Sequence, residues 1–346
     1  MYKKILITGG CGFIGSNLAI FLKEKKFNVY SLDNLSREGS KLNLERLKKK
    51  KITNFKIDIK NYKDISKLPK FDFIIDCSAL VEAKVKKENI TNVLKTNFLG
   101  TNNLLLKCTN DKTRFIFLST SRVYSIKKIN QIINNKKIIK KKIFLNKNHS
   151  INENFSTAPP LSFYGLSKKF SEDLILEYSY SYNLKFLINR FGVVSGPWQF
   201  GKVEQGFLSL WLWKHLIKSN IKYIGFGGYG NQCRDILHVY DVCEIIHKQI
   251  KKFNKIQNNT FNIGGGLKNV LSLKDVTLLS EKLTKNKIKI GKIAKSDKSD
   301  IPFYISNNNK IFKFYNWKPK RSILEIASDT YNWQIENFKK LKNFMN

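Results

Sequence analysis

Cysteine, proline, arginine and acidic residues are all scarce in this chain, and each scarcity closes a door. The five cysteines (Cys11, Cys77, Cys108, Cys233 and Cys243) are odd in number and form no CxxC pair. That argues against a disulfide framework and against a structural zinc site, so no metal is expected. No apolar run approaches the roughly 20 residues that a bilayer span needs, and no membrane partner is expected. The opening MYKKILITGG enters a strand-and-turn pattern at once, with no apolar leader and no small-residue cleavage site. The expected compartment is the cytoplasm. Acidic residues number 26 against 63 basic ones, a net charge of +37. Such an excess invites a nucleic-acid reading. Yet only seven of the basic residues are arginine, at 37, 46, 114, 122, 190, 234 and 321, whereas groove and phosphate readers lean on arginine forks. The lysines are spread over the whole chain among many Asn and Ile. This is compositional drift with a field that favours anionic substrates, and nucleic acid is not the expected partner.

What is present is a long alternation. With 346 residues, 42% of them hydrophobic, the chain can build one large or two coupled domains with a full core. Short apolar runs at Lys4–Thr8, Asn28–Leu32, Asn54–Ile57, Phe73–Asp76, Phe115–Ser119 and Lys185–Arg190 read as strands. Amphipathic stretches, clearest at Gly15–Lys26, Asn92–Cys108 and Tyr164–Tyr180, read as helices between them. The expected fold class is α/β: a Rossmann-type doubly wound parallel sheet with a smaller C-terminal α/β substrate-binding domain. The expected division is 1–188 for the dinucleotide-binding domain and 189–346 for the second, with about 236–264 packing back on the first. Residues 125–160 break the alternation with a basic, irregular stretch, read either as a partial lid or as a surface excursion. The apolar stripe Phe207–Trp213 is expected to pack in a core.

The run Gly9-Gly10-Cys11-Gly12-Phe13-Ile14-Gly15 follows the first strand and opens a helix. Glycines there let the backbone turn tightly and approach a pyrophosphate at the positive end of the helix dipole. Alone the pattern is weak; between a strand and a helix it is strong. Cys11 reads as a small residue tolerated by the turn. Asp33 ends the second strand, 18 positions after Gly15. A carboxylate there accepts both ribose hydroxyls and repels a 2′-phosphate, which favours NAD over NADP, while Arg37 pulls the other way. The alternative is that Asp33 caps a turn. Asp58 and Ile59, after the third strand, are candidates for the adenine ring.

Tyr164 and Lys168 stand four residues apart, on one helix face. A phenol titrates near 10, so a general base at neutral pH needs about 4 kcal/mol of help from nearby cations. Lys168 is one candidate cation and a nicotinamide ring the other. The preceding strand ends in Leu118-Ser119-Thr120-Ser121-Arg122-Val123-Tyr124, which offers a hydroxyl to bind a reacting oxygen.

TGGCGFIGSNL, DNLSREG, STSRVY and YGLSK, in this order and spacing, resemble extended short-chain dehydrogenases/reductases of the nucleotide-sugar epimerase/dehydratase type. The resemblance covers nearly the entire chain. It implies Thr120, Tyr164 and Lys168 as the catalytic trio. It implies NAD held by Gly9, Gly12, Phe13, Ile14, Gly15, Asp33, Asn34, Ser36, Arg37, Asp58, Ile59, Asn97, Tyr164 and Lys168, with Asn97 a polar residue of structural kind. For the substrate, a nucleotide sugar, it implies Ser121 and Arg122. The segments NRFGVVSGPWQFGKVEQGF, YIGFGGYGNQCRDILHVYDV and FNIGGGLKNVLSL look like the branch that inverts C2 of CDP-linked dideoxyhexoses. By that likeness Arg234 meets the phosphates, Gln199, Lys202 and Gln205 lie near the sugar or nucleotide, and Ile224 and Phe226 near the base. A homo-oligomer, dimer or tetramer, is implied as well. Arg234 also has its own case, as a rare guanidinium in a glycine-flanked segment suited to a bidentate phosphate contact; an Arg234–Asp235 surface element is the alternative. Ser125 stands where many relatives have glycine. Dehydratases of the family carry an Asp-Glu pair after the catalytic Thr, and here Ser121-Arg122 occupies those positions. A 4-epimerase and a non-catalytic dinucleotide sensor are the remaining rivals, the intact Thr120, Tyr164 and Lys168 speaking against the sensor.

Overall fold

The computed structural model describes residues 3–81, 85–133, 147–202 and 205–345. The centre of the 125–160 stretch, read as either a partial lid or a surface excursion, lies outside the described residues at 134–146. Along the chain the strands are β1 (Lys4–Thr8), β2 (Asn28–Leu32), β3 (Thr53–Phe55), β4 (Phe73–Asp76), β5 (Arg114–Thr120), β6 (Phe186–Phe191), β7 (Val193–Ser195), β8 (Ile221–Ile224), β9 (Cys233–His238), β10 (Asn259–Ile263), β11 (Val270–Ser272), β12 (Ile290–Ile293) and β13 (Phe303–Tyr304). The helices used below are α1 (Phe13–Glu24), α2 (Ser40–Lys49), α3 (Gly100–Asp111), α4 (Ile126–Ile132), α5 (Phe163–Tyr182), α6 (Phe207–Leu216), α7 (Val239–Ile256) and α8 (Ile323–Glu336).

The chain folds into two compact units. The first gathers 1–123, 163–190 and 242–261; the second gathers 124–162, 191–241 and 262–346. The first is built on a seven-stranded sheet ordered β10-β6-β5-β4-β1-β2-β3. β1 pairs in parallel with β2 on one side and β4 on the other, β2 with β3, and β4 with β5. This is the doubly wound order, and its strand order reverses between β1 and β4. Apolar residues run almost unbroken through these strands because both faces of the sheet are covered. Leu6, Leu32, Ile74, Phe115, Phe117 and Ile188 join one buried cluster with Leu104, Leu105 and Ile175 from the helices.

The helix expected over Asn92–Cys108 is interrupted. A short helix at Ile90–Leu94 passes through a widened π-type turn at Lys95–Leu99 before α3 begins. Such turns are frequent at functional sites, and Asn97 lies in this one.

In the second unit β9 is central, parallel to β7 and β13 and antiparallel to β11, while β8 and β12 form a separate parallel pair. The stripe on α6 is core: Leu208, Trp211 and Leu212 pack with Ile236, Val276 and Ile326, and Trp213 with Trp333 and Leu341. The ends of the 125–160 stretch are tied within this unit. The amide of Ser125 donates to the Ser156 carbonyl and that of Ile126 to Pro160, at 2.8 and 3.1 Å. Among the described residues no helix is long and apolar enough to cross a membrane.

Candidate active site

The glycine loop sits where the strand order reverses. Gly9 takes a left-handed conformation (φ 60°), and a Cβ there would meet the backbone of Cys77 and Ser78 at 2.9 Å. A Cβ on Gly15 would overlap the Gly9 carbonyl, and one on Gly10 would overlap the Ser31 hydroxyl. Only glycine allows this packing of strand, turn and helix. The loop is braced from α1 and α2. Asn43 Nδ2 donates to the Cys11 carbonyl at 3.0 Å, and the Arg46 guanidinium donates to Ser16, Asn43 and Asn17 at 3.0–3.1 Å. Cys11 is fully buried and its thiol is pushed up to about 12, first by burial and then by Asp33. A buried thiol held in its protonated form is consistent with its reading as a small turn residue.

Asp33 is half-buried at the end of β2, accepting from the amides of Cys11 (3.0 Å) and Leu35 (2.8 Å). Burial raises its pKa against the pull of those amides and of Arg37. Asn34 Nδ2 donates to Asp58 at 3.0 Å, and Ser36 and Arg37 are exposed beside them. Ile59 is buried in the core cluster, where a Cβ on Gly100 would collide with it. Phe13 and Ile14 open α1, half-buried. A cradle that any Cβ would fill, the start of a helix and an anchored carboxylate together fit the pyrophosphate and ribose of a dinucleotide.

Tyr164 lies at the start of α5 and shares a hydrogen bond with Thr120 at the end of β5. Lys168, one turn on, is 1% exposed, with Nζ 3.8 Å from the centre of the Phe117 ring. The expected lowering of the phenol is not realised by this protein's own groups. Burial raises the Tyr164 pKa and outweighs the Thr120 bond and the guanidiniums of Arg122 and Arg37. Burial also brings Lys168 down to about 8, against Asp76, Cys77 and Glu172. A positive nicotinamide ring is the remaining cation that the sequence argument called on.

Asn97 is fully buried, and its amide is fully engaged by protein. It accepts from Leu80 N at 2.8 Å and donates to the Leu80 carbonyl (3.1 Å) and Ser167 Oγ (3.0 Å). It pins the segment after β4 to α5. Ser121 and Arg122 form a half-exposed 3-10 turn after β5, where the Arg122 amide donates to Thr120 Oγ1 at 3.2 Å.

The remaining expected residues fall in the second unit. Gln199 is 5% exposed; Ser195 Oγ donates to its Oε1 at 2.7 Å and its Nε2 donates to the Val194 carbonyl at 2.9 Å. Both ends of the amide bond the loop itself. Lys202 and Gln205 exchange backbone hydrogen bonds at 2.7 and 3.1 Å. Ile224 and Phe226 are half-buried at the end of β8, with the Phe226 amide on Ser296 Oγ at 2.7 Å. Arg234 on β9 donates to the carbonyls of Cys233 (2.7 Å) and Ile301 (2.8 Å), which fix the side chain.

Sequence reading missed two clusters. Asp76 is fully buried and accepts from Thr8, Ser78 and Thr101 at 2.6–3.0 Å, locking β4 to β1 beside the loop. Glu172 accepts from Ser119 at 2.6 Å and from Arg190 Nε and NH2 at 2.7–3.1 Å. A signal for the second existed: Glu172 continues the four-residue spacing of Tyr164 and Lys168.

A doubly wound sheet, a glycine cradle at its reversal point and a Tyr–Lys pair beside a hydroxyl define a dinucleotide-dependent enzyme of the short-chain dehydrogenase kind. The model of the NAD dependent epimerase/dehydratase family matches residues 5–264, and the chain belongs to that family. Its cofactor is NAD. The chain is 30% identical to CDP-paratose 2-epimerase of Salmonella typhi over 346 residues, 95% of this chain and 98% of that protein. It is 28% identical to UDP-glucuronate 4-epimerase of Thermodesulfobacterium geofontis over 98% of each. The crystal structure of UDP-glucose 4-epimerase from Thermotoga maritima matches it with a TM-score of 0.81 at 24% identity, covering 97% of this chain and 99% of that one, a likeness of fold.

Proposed function

We propose that this enzyme inverts C2 of a CDP-linked dideoxyhexose, interconverting CDP-paratose and CDP-tyvelose by transient oxidation at that carbon. The observation that carries the chemistry is the Thr120–Tyr164 hydrogen bond with buried Lys168 one turn on. The choice of substrate rests on the likeness to a CDP-paratose 2-epimerase along 95% of the chain. It also rests on Ser121-Arg122 standing where a dehydratase has its acidic pair.

Bound NAD supplies a hydride acceptor that is also the donor for the return. Tyr164, as phenolate, takes the proton of the C2 hydroxyl and later gives it back. Thr120 holds the same oxygen through the cycle. Lys168 keeps positive charge beside the phenol in a dry cleft, where a cation acts strongly. Arg234, in this reading, meets the diphosphate, and Lys202 and Gln205 meet the sugar or nucleotide, while Ile224 and Phe226 flank the base. The nucleotide is gripped while the sugar turns its other face.

Substrate deuterated at C2 is expected to keep its label in the product, with little label entering from heavy water. Stoichiometric solvent deuterium at C2 would exclude the proposed path. Tyr164→Phe should lower turnover by roughly 10²–10⁴. The second reading, a UDP-sugar 4-epimerase, is favoured by the relative at 28% identity. Turnover of UDP-glucose or UDP-glucuronate with CDP-paratose inert would establish it instead.

A further inference from the structure

Tyr164, Lys168 and Glu172 recur every four residues on α5, so they share one face. The Glu172 side chain is 2% exposed and its carboxylate is saturated: Ser119 Oγ donates to Oε1 at 2.6 Å, and Arg190 donates through Nε at 3.0 and 3.1 Å and through NH2 at 2.7 Å. Ser119 immediately precedes Thr120 on β5, and Arg190 lies on β6. One carboxylate thus ties the helix bearing Tyr164 and Lys168 to the strand bearing Thr120.

We propose that Glu172 is a positioning residue for the Thr120–Tyr164–Lys168 trio, fixing helix to strand through Ser119 and holding the positive charge of Lys168 beside the phenol. The proposal rests on the catalytic roles given above. A buried Arg–Glu pair alone is weak evidence for stability, because desolvation offsets its attraction. Its value here is geometric and electrostatic. Lys168 faces Asp76 and Cys77 from the end of β4, Phe117 from β5 and Glu172 from its own helix. Tyr164 faces Thr120 and Arg122 after β5 and Arg37 after β2. Of the carboxylates in these sets, Glu172 alone also bonds a neighbour of the catalytic hydroxyl. Without its charge, Lys168 gives up its proton at lower pH, and in the proposed mechanism the phenol one turn away then loses a cation in the range where it must ionise.

The test uses full-length protein loaded with NAD. Ionisation of Tyr164 is followed by ultraviolet difference titration, each variant being compared with the same variant carrying Tyr164→Phe. This readout needs no sugar nucleotide, so it stands whichever substrate is right. Glu172→Gln keeps the shape and removes the charge. It is expected to move the Tyr164 titration, and the acidic limb of the kcat profile, upward by about one pH unit, with KM within about twofold. Glu172→Asp should restore the wild-type titration while leaving kcat reduced. Ser119→Ala keeps the Glu172–Arg190 pair, and so provides a folded control if Glu172→Gln fails to fold. It should lower kcat about tenfold or more with no shift in pH. An unmoved Tyr164 titration in Glu172→Gln, or a Ser119→Ala enzyme with unchanged kcat, would overturn the proposal.

Discussion

Lys168 bears two demands that pull against each other. In the proposed mechanism the phenol one turn away needs a cation, yet this ammonium is buried and its pKa falls to about 8. The unfolded chain keeps this proton up to about 10.5. Below pH 8 both states hold it and the full desolvation penalty stands; between 8 and 10.5 the unfolded state binds more protons, so stability from this group rises with pH. Lys168→Met should therefore lose activity and yet gain about 1–3 kcal/mol of stability at pH 7, tested on NAD-free protein. That gain should shrink toward pH 10, as urea unfolding of both proteins across this range would show. An equally unstable or weaker Lys168→Met protein at pH 7 would mean that the ammonium is well compensated. The place of Lys168 one turn after Tyr164 was legible because a four-residue spacing on one helix needs no tertiary information. Asp76 was not, since its partners Thr8 and Thr101 stand 68 and 25 positions away and only the sheet brings them to it.

At the scale of elements, the glycine loop makes a graded prediction. A methyl at Gly15 would run into the Gly9 carbonyl, which the loop cannot move, whereas one at Gly12 would lie 3.0 Å from the same oxygen and asks for a few tenths of an ångström. Gly15→Ala is expected to be destabilised by about 1–3 kcal/mol and to purify without NAD. Gly12→Ala should fold with smaller loss. Thermal unfolding together with the NAD released on denaturation measures both; equal behaviour of the two variants would contradict the packing described for Gly15. The first half of the sheet was legible to within a residue or two, because strands buried on both faces announce themselves as apolar runs. The break at Lys95–Leu99 was hidden. An amphipathic stretch reads as one helix whether its turns hold four residues or five, and the widening comes with a side chain, Asn97, bonded to Leu80 and Ser167 far along the chain.

For the whole molecule, 63 basic residues against 26 acidic ones leave a net charge of +37. Self-repulsion of this kind opposes the compact state and is screened by salt. Raising sodium chloride from about 20 mM to 0.5 M should raise the unfolding temperature by a few degrees, on the order of 1 kcal/mol. A fall would show that specific ion pairs outweigh the net field. The chain's path has a further consequence. Its six segments alternate between the two units, so neither unit is a continuous stretch of sequence. A ribosome that has already made Thr120, Tyr164 and Lys168 has not yet made α7 or β10, both needed by the first unit. The nascent β6 edge must therefore wait, unpaired, for about 70 residues of synthesis, several seconds at usual elongation rates.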